Sequence, residues 1–585
     1  MRRPAGFWIA CCGAFLLPLV YTWNTYDRYV LPKLLFIGLL VLSLSIATVF
    51  RWSLQGRVVV RRTPLDLPLV ATVGAAAIST AFAINRNVAL FGIYFRYEGL
   101  LTILLYALLF WLTAQQLSGS QEALRLLRCL LASGYLVGLV AIVQSVVSNL
   151  ATVPGADTAF SYGGVLRAFS TFGNPNFLGV FFAMLLPLAL YELLRSTTVL
   201  ARLLFANLLV VMTLALLLTF SRSAWVAAAL ALLVLLLAHG GRGRLVAGLA
   251  GALLIVAIAG DFMISRQAQV SSGSSALSAL VHRALSVTES GGSTRSRIGV
   301  WQEALRVSAS RPLTGYGPDS FGIVYPRYRT GDWAPGYLID KAHNDPLQLA
   351  ATEGILGVAA YVWLSVAMAV AFWRGRAHPV VVAAAAGALA YFTWAQVNFS
   401  FIPAASPWWT FAAAALVLAS DSLPKQELTL PLPLPRALAI TSAAVVSVVI
   451  AVLVVPGLVK AFRADMALYS SIQANGLGDR QGGNTTTVRI DSPAILVGSC
   501  TVYVTITYTC FPPPGGYPAF GSISVSQVLP GNGGSGSFTP ICDDQQQKQS
   551  IPVFGMFSPG DAAASVFICG FDCNGTSREI KIVLK

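Results

Sequence analysis

The chain has 585 residues, 56% hydrophobic and 11% charged, with a mean hydropathy of +0.70 and a formal charge of +15. Soluble domains carry about 25% charged residues, so a water-facing globular body is excluded for most of the chain. A basic excess can signal nucleic acid, but no basic groove interleaved with stacking aromatics accompanies it, and no nucleic-acid partner is expected.

A helix needs about 20 apolar residues to cross a hydrocarbon core of about 30 Å while satisfying its own backbone. Stretches 7–23, 30–50, 64–83, 99–117, 127–148, 174–194, 200–219, 223–239, 244–260, 347–373, 379–397, 407–420 and 437–459 qualify. The expected fold is a polytopic α-helical membrane protein of about 12–13 transmembrane helices. No small-x-small cleavage motif follows 7–23, so it reads as the first membrane helix rather than a signal peptide. With the N-terminus in the cytoplasm, the cytoplasmic loops collect arginine clusters: Arg2 and Arg3; Arg51, Arg57, Arg61 and Arg62; Arg125 and Arg128; Arg195 and Arg202; Arg242 and Arg244; Arg374 and Arg376. That is the positive-inside pattern. It puts the large loop 261–345 and the C-terminus outside the cytoplasm.

Taken in order, the exterior segments hold arginines that run against this bias: Arg86 and Arg96 in 84–98, then Arg167, then Arg222 beside Ser221. Two readings stay open for them, snorkelling to lipid headgroups or a functional charge at the membrane rim. GNPN at 173–176 reads as a helix start, with Asn174 capping and Pro175 in the first turn. The large loop opens Ser/Gly-rich. From Arg297 it becomes helical, with Ile298, Trp301, Ala304 and Leu305 expected on one face, and it ends at Pro312. The interval Arg295–Asp345 is the longest polar stretch of the membrane core, and His343 sits where it meets the tenth span.

Past the 1–460 core, 461–483 reads as a short linker helix. From 484 to 585 the chain alternates in the strand manner between Gly/Pro/Asn turns, as a small all-β, sandwich-like domain does. Five of the eight cysteines (Cys500, Cys510, Cys542, Cys569, Cys573) lie there. An exterior location permits disulfides; Cys500–Cys510 and Cys569–Cys573 are candidate bridges among connectivities left open. A CxxxC pair without a second pair or a nearby histidine does not make a zinc site.

Arginine binds phosphate oxygens bidentately and keeps its charge; histidine is suited to proton removal near neutrality. Exterior arginines at a membrane rim, with His343 flanked by Lys341, Asn344 and Asp345, fit transfer of a sugar from a polyprenyl diphosphate. His343 would deprotonate the acceptor hydroxyl, and fixed cations would take up the leaving charge. A glycosidase-type carboxylate pair competes: Asp340, Asp345 and Glu353 are available, and nothing singles out two of them. A transporter would carry ionisable groups inside its spans, and these spans are almost free of them.

The ordered segments SRSA (221–224), RIGVWQEAL (297–305), PLTGYGPDSF (312–321) and KAHNDPLQLAATEGILG (341–357) resemble the O-antigen ligase family. YEGLLT (97–102) and RAFSTFGNPNFLG (167–179) are also similar to it, so that the likeness runs over about 1–460. The family takes in ligases, polymerases and protein O-oligosaccharyltransferases. The resemblance implies that Arg222 and Arg297 hold the lipid diphosphate and that His343 is the base. Arg167, Arg96, Arg295, Lys341 and Asn344 are further candidate substrate-binding residues. It also implies an inverting enzyme at the outer face of the bacterial inner membrane, without metal or cofactor. The donor would be a polyprenyl-diphosphate glycan and the acceptor a lipid, glycan or protein. The C-terminal β-domain stands where many relatives carry helical repeats.

Overall fold

A computed structural model describes residues 4–146, 161–162, 165–239, 292–330, 339–420, 427–431, 441, 444, 459–460, 462–467, 470, 487–491, 494–497, 501–509, 520–527, 533–538, 545–556, 560–569 and 573–584. They divide into a helical unit (1–23, 27–333 and 338–462) and a second unit made of 463–585 with 24–26 and 334–337. The expected span 244–260 and the Ser/Gly-rich start of the loop lie outside the described residues, as does nearly all of 437–459.

The helical unit runs α1 (Ala5–Leu16), α2 (Val30–Gln55), α3 (Asp66–Ala81), α4 (Arg86–Phe91), α5 (Leu100–Gln116), α6 (Ser120–Val146), α7 (Pro175–Arg195), α8 (Val199–Leu218) and α9 (Arg222–His239). It continues with α10 (Gly292–Ser310), α11 (Phe321–Val324), α12 (Asp345–Thr352), α13 (Gly354–Gly375), α14 (Pro379–Ala395) and α15 (Ile402–Ser420). Among the described residues six helices are long and apolar enough to cross a membrane (α2, α6, α7, α8, α13 and α15), and α1, α3, α5, α9 and α14 are shorter apolar helices. The chain is a multi-pass membrane protein. α15 and α7 are central, their apolar windows 94% and 78% buried, while α8 is 22% buried and lies at the rim. Where α14 crosses α7, a Cβ on Gly387 would come within 2.4 Å of the Met184 carbonyl. That close approach is how membrane helices pack without a hydrophobic driving force between them.

Two expectations are corrected. The span expected at 347–373 breaks: α12 ends at Thr352, and α13 starts at Gly354, whose φ is +67°. The Thr352 carbonyl is taken by Ser79 Oγ (2.7 Å) and Gly317 N–H (2.8 Å), so the helix cannot run on through it. Arg125 and Arg128 lie within α6 rather than in a loop. The few charges within the spans have protein partners. Lys33 in α2 is fully buried and donates to the carbonyls of Thr171 (2.6 Å) and Val20, while Glu192 near the end of α7 pairs with Arg128 and Arg195. These charges are spent inside the protein. Two strands, β1 (Arg57–Arg61) and β4 (Glu427–Pro431), pair antiparallel, and β2 (Ser161–Tyr162) pairs with β3 (Val165–Leu166).

In the second unit, β5 (Thr487–Ile490), β6 (Ala494–Val497), β7 (Thr501–Thr509), β8 (Phe520–Gln527), β9 (Gly533–Phe538), β10 (Gln546–Met556), β11 (Gly560–Cys569) and β12 (Cys573–Leu584) form one sheet in the order β10-β9-β8-β11-β12-β6-β7-β5. β10 also pairs with β7 along Thr501–Thr509, and the ends of β10 and β12 join that group of strands to β9-β8-β11, so the sheet closes on itself. Along β7, Val502, Val504, Ile506 and Tyr508 are buried, the period-two signature of a strand with one face on a core. Cys569 and Cys573 are register partners across β11 and β12; Cys500, Cys510 and Cys542 lie outside the described residues.

Candidate active site

The segments between helices at one end of the helical unit are held by buried side chains. Asp319, 4% exposed, is the hub: its carboxylate accepts from Lys341 Nζ (2.6 Å), from the Ile93 N–H (2.7 Å) and from the Glu98 N–H (3.3 Å). One carboxylate thus ties three parts of the sequence together, and such a fully paired buried ion holds only if every partner stays. Beside it, α10 packs through Val300, Ala304 and Val307 against Tyr316, Phe321, Val324, Tyr325, Ala342 and Ala351. The expected face of α10 is corrected: Ile298 and Leu305 are 48% and 56% exposed. The glycine turn that follows is forced, because a Cβ on Gly315 (φ +62°) would lie 2.3 Å from the Thr352 carbonyl carbon.

His343 has φ +53°, a left-handed backbone that costs energy in a non-glycine residue and that gathers at functional sites. Its neighbours are fixed by the protein. Asp340 is paired with Arg96, and Lys341 with Asp319. Asn344 caps α12, accepting from Leu347 N–H (2.9 Å) and donating to the Gln396 carbonyl (2.7 Å). Asp345 accepts from the Ser400 N–H (2.7 Å) and hydroxyl. Lys341 and Asn344, both candidates for substrate contact, therefore have their polar groups engaged with protein.

The imidazole packs edge-to-face on Phe399, with ring centroids 5.1 Å apart. Burial, then the Arg297 and Arg96 guanidinium groups, push His343 down to about 4 against the opposing pull of Asp340. The ring is neutral at pH 7. Burial works to raise Asp340, but Arg96 and Lys341 outweigh it and hold the carboxyl below its usual range. Glu98 and Asp345 are pushed up by burial, to about 8 and about 6, against the Lys341 charge and their hydrogen bonds from Tyr106 and Ser400. Arg96 lies 5.5 Å from the Phe399 ring centroid and 5.1 Å from that of Phe401.

A second cluster surrounds the start of α9. Asn174 caps α7, accepting from the Asn176 N–H, with Pro175 in the first turn, as the sequence predicts. Arg167 donates to the Thr219 carbonyl (2.9 Å) and to Asn176 Oδ1 (3.2 Å), which also accepts from the Ser221 hydroxyl (2.9 Å). Asn398 Nδ2 donates to the Ser223 hydroxyl (3.0 Å), so Arg222 is flanked by serines tied to α7 on one side and to the segment of Phe399 on the other. Of the residues singled out from sequence, His343, Arg297 and Arg96 thus share one electrostatic environment. Arg167 belongs with the Arg222 turn. Arg295 lies on α10, and its side chain is outside the described residues. Sequence reasoning missed Asp319 and the linker Asn398–Phe401. Its signal was a polar interruption, NFS, between two apolar helices.

The loops of this multi-pass helical bundle thus carry a buried histidine of left-handed backbone in the field of two arginines. Residues 208–362 match a sequence model of the family described as O-antigen ligase. The match runs from within α8 into α13 and takes in Arg222, Arg297, Asp319 and His343, so the motif resemblance holds for this stretch. The 97–102 and 167–179 segments fall outside it. No curated protein matches the chain. Among the described residues no group of three or more His, Cys, Asp or Glu side chains is arranged to hold a metal ion.

Proposed function

We propose that this chain moves a glycan from a polyprenyl diphosphate onto an acceptor hydroxyl, with inversion at the anomeric carbon. The observation that carries the reading is the neutral His343 ring held in the field of Arg297, within the stretch that matches the O-antigen ligase family. His343 accepts the hydroxyl proton as the acceptor oxygen attacks the sugar C1. The C1–O bond to the diphosphate breaks, its electron pair leaves with the diphosphate, and Arg297 and Arg222 stabilise that charge. Single displacement from the opposite face gives inversion. An imidazole near 4 is a weak base; burial is the largest cause, and a bound diphosphate offsets the further lowering by the two guanidinium charges and so raises it.

In this reading the reaction takes place at the outer face of the bacterial inner membrane, with protein cations in place of a metal. The acceptor is a lipid A core, a second glycan or a protein hydroxyl. The test is transfer by the purified protein from a polyprenyl-diphosphate glycan to each acceptor class, with and without chelator. His343→Ala and Arg297→Ala are expected to stay folded and to lose transfer. Undiminished turnover in His343→Ala removes the base; an absolute need for a divalent metal removes the arginine mechanism.

A further inference from the structure

A general base works only when the correct ring nitrogen faces the proton, and a carboxylate on the other nitrogen is the usual way to set it. Here the carboxylates beside His343 are spent elsewhere, Asp340 on Arg96 and Asp345 on Ser400. The ring packed on the imidazole is that of Phe399, set at 74° to it. The same ring lies 5.5 Å from the Arg96 guanidinium carbon. The backbone of Phe399 is fixed from both sides, since Asn398 bonds Ser223 next to Arg222, and Ser400 bonds Asp345.

We propose that Phe399 is the positioning residue of this site: its ring sets the rotation of the His343 imidazole. The left-handed backbone at His343 fixes where the Cβ points but does not by itself set the ring torsion. An edge-to-face aromatic contact restricts that torsion without taking a nitrogen, and leaves both nitrogens for proton transfer. The charged groups acting on the imidazole are Arg297 from α10, Arg96 from the segment before α5, and Asp340 from its own segment. Arg96 is held by its ion pair with Asp340 and lies over both the Phe401 and the Phe399 rings, so its place does not rest on Phe399 alone. Losing the aromatic face thus changes the base's orientation and the packing that buries it.

The inference rests on the transfer reading, and the experiment separates the two. Phe399→Leu removes the aromatic face at similar bulk; Phe399→Tyr keeps it; Phe399→Met replaces the leucine variant should that one not fold. In the full chain, Phe399→Leu is expected to lower kcat about ten- to a hundredfold, with donor KM within about threefold, and to move the acidic limb of the pH–rate profile. Phe399→Tyr is expected to restore turnover to within about threefold of wild type. Independently of transfer, carbethoxylation of His343 by diethyl pyrocarbonate, followed by mass spectrometry across pH, is expected to differ several-fold between wild type and Phe399→Leu. Wild-type turnover, pH profile and labelling in Phe399→Leu overturn the proposal, as does a rise in donor KM with kcat unchanged. If the wild type transfers no glycan, the labelling comparison still decides the matter, because ring orientation does not depend on the substrate.

Discussion

The two ends of the helical unit are built on different principles. At one end the charges sit near helix ends and pair simply: Arg128 Nε and Nη2 lie 3.0 and 3.1 Å from Glu192, Gln115 exchanges two 2.8 Å hydrogen bonds with the Arg61 backbone, and β1 pairs with β4. At the other end lie all six non-glycine residues with positive φ among the described residues: Phe95, Tyr97, Ser170, Phe220, Asp319 and His343. Each stands in or beside a segment that carries the family resemblance. Strain and buried charge of this kind persist only where the surroundings over-determine them, and they collect where chemistry is done. One end of the bundle is held by ordinary pairing. The other holds a geometry that regular structure would not adopt unaided.

That contrast can be broken by mutation. The largest effect is expected for His343→Ala, which should lower transfer by about 10²–10⁴ with the thermal unfolding midpoint unchanged. Arg297→Ala should cost about 10²–10³ in kcat, read as turnover at saturating donor. Asp319→Ala strands Lys341 and two backbone N–H groups, so a stability loss of about 3–5 kcal/mol is expected from unfolding in detergent. A change below about 1 kcal/mol would show that the hub is not holding these segments.

The pH profile sharpens the comparison further. His343 is depressed in the free protein, so the acidic limb of kcat/KM should fall near pH 4. Bound diphosphate counters Arg297 and Arg96, so the limb of kcat should lie at higher pH. Coincident limbs would mean that the donor's charge does not reach the imidazole. The smallest effect belongs to the other end: Arg128→Gln leaves the buried Glu192 its contact with Arg195 (3.4 Å), should cost about 1–3 kcal/mol, and should leave turnover unaltered.

How far the site was legible in the sequence differs by residue. His343 and Arg297 could be singled out from residue type and from motif order, and the Asn174–Pro175 start of α7 from capping chemistry that lies within four residues. Phe399 could not be found, because nothing local distinguishes a phenylalanine that orients a histidine 56 positions away from one that fills a core. The face of α10 failed for a related reason. Apolar residues occupy both sides of that helix, and only the arrival of Tyr316, Phe321 and Tyr325 decides which side is buried.

By itself the sequence determined the class: hydropathy is a sum over neighbouring residues, so most apolar spans, the Asn174 cap of α7 and the alternating C-terminal strands were readable along the chain. Tertiary structure alone decided where the Lys33 charge is spent, how Asp319 gathers Ile93, Glu98 and Lys341, and how the β-sheet closes through β10 and β7. Those outcomes depend on groups tens to hundreds of residues apart meeting in one place. No local pattern encodes such a meeting; burial and hydrogen-bond satisfaction select it once the chain has folded.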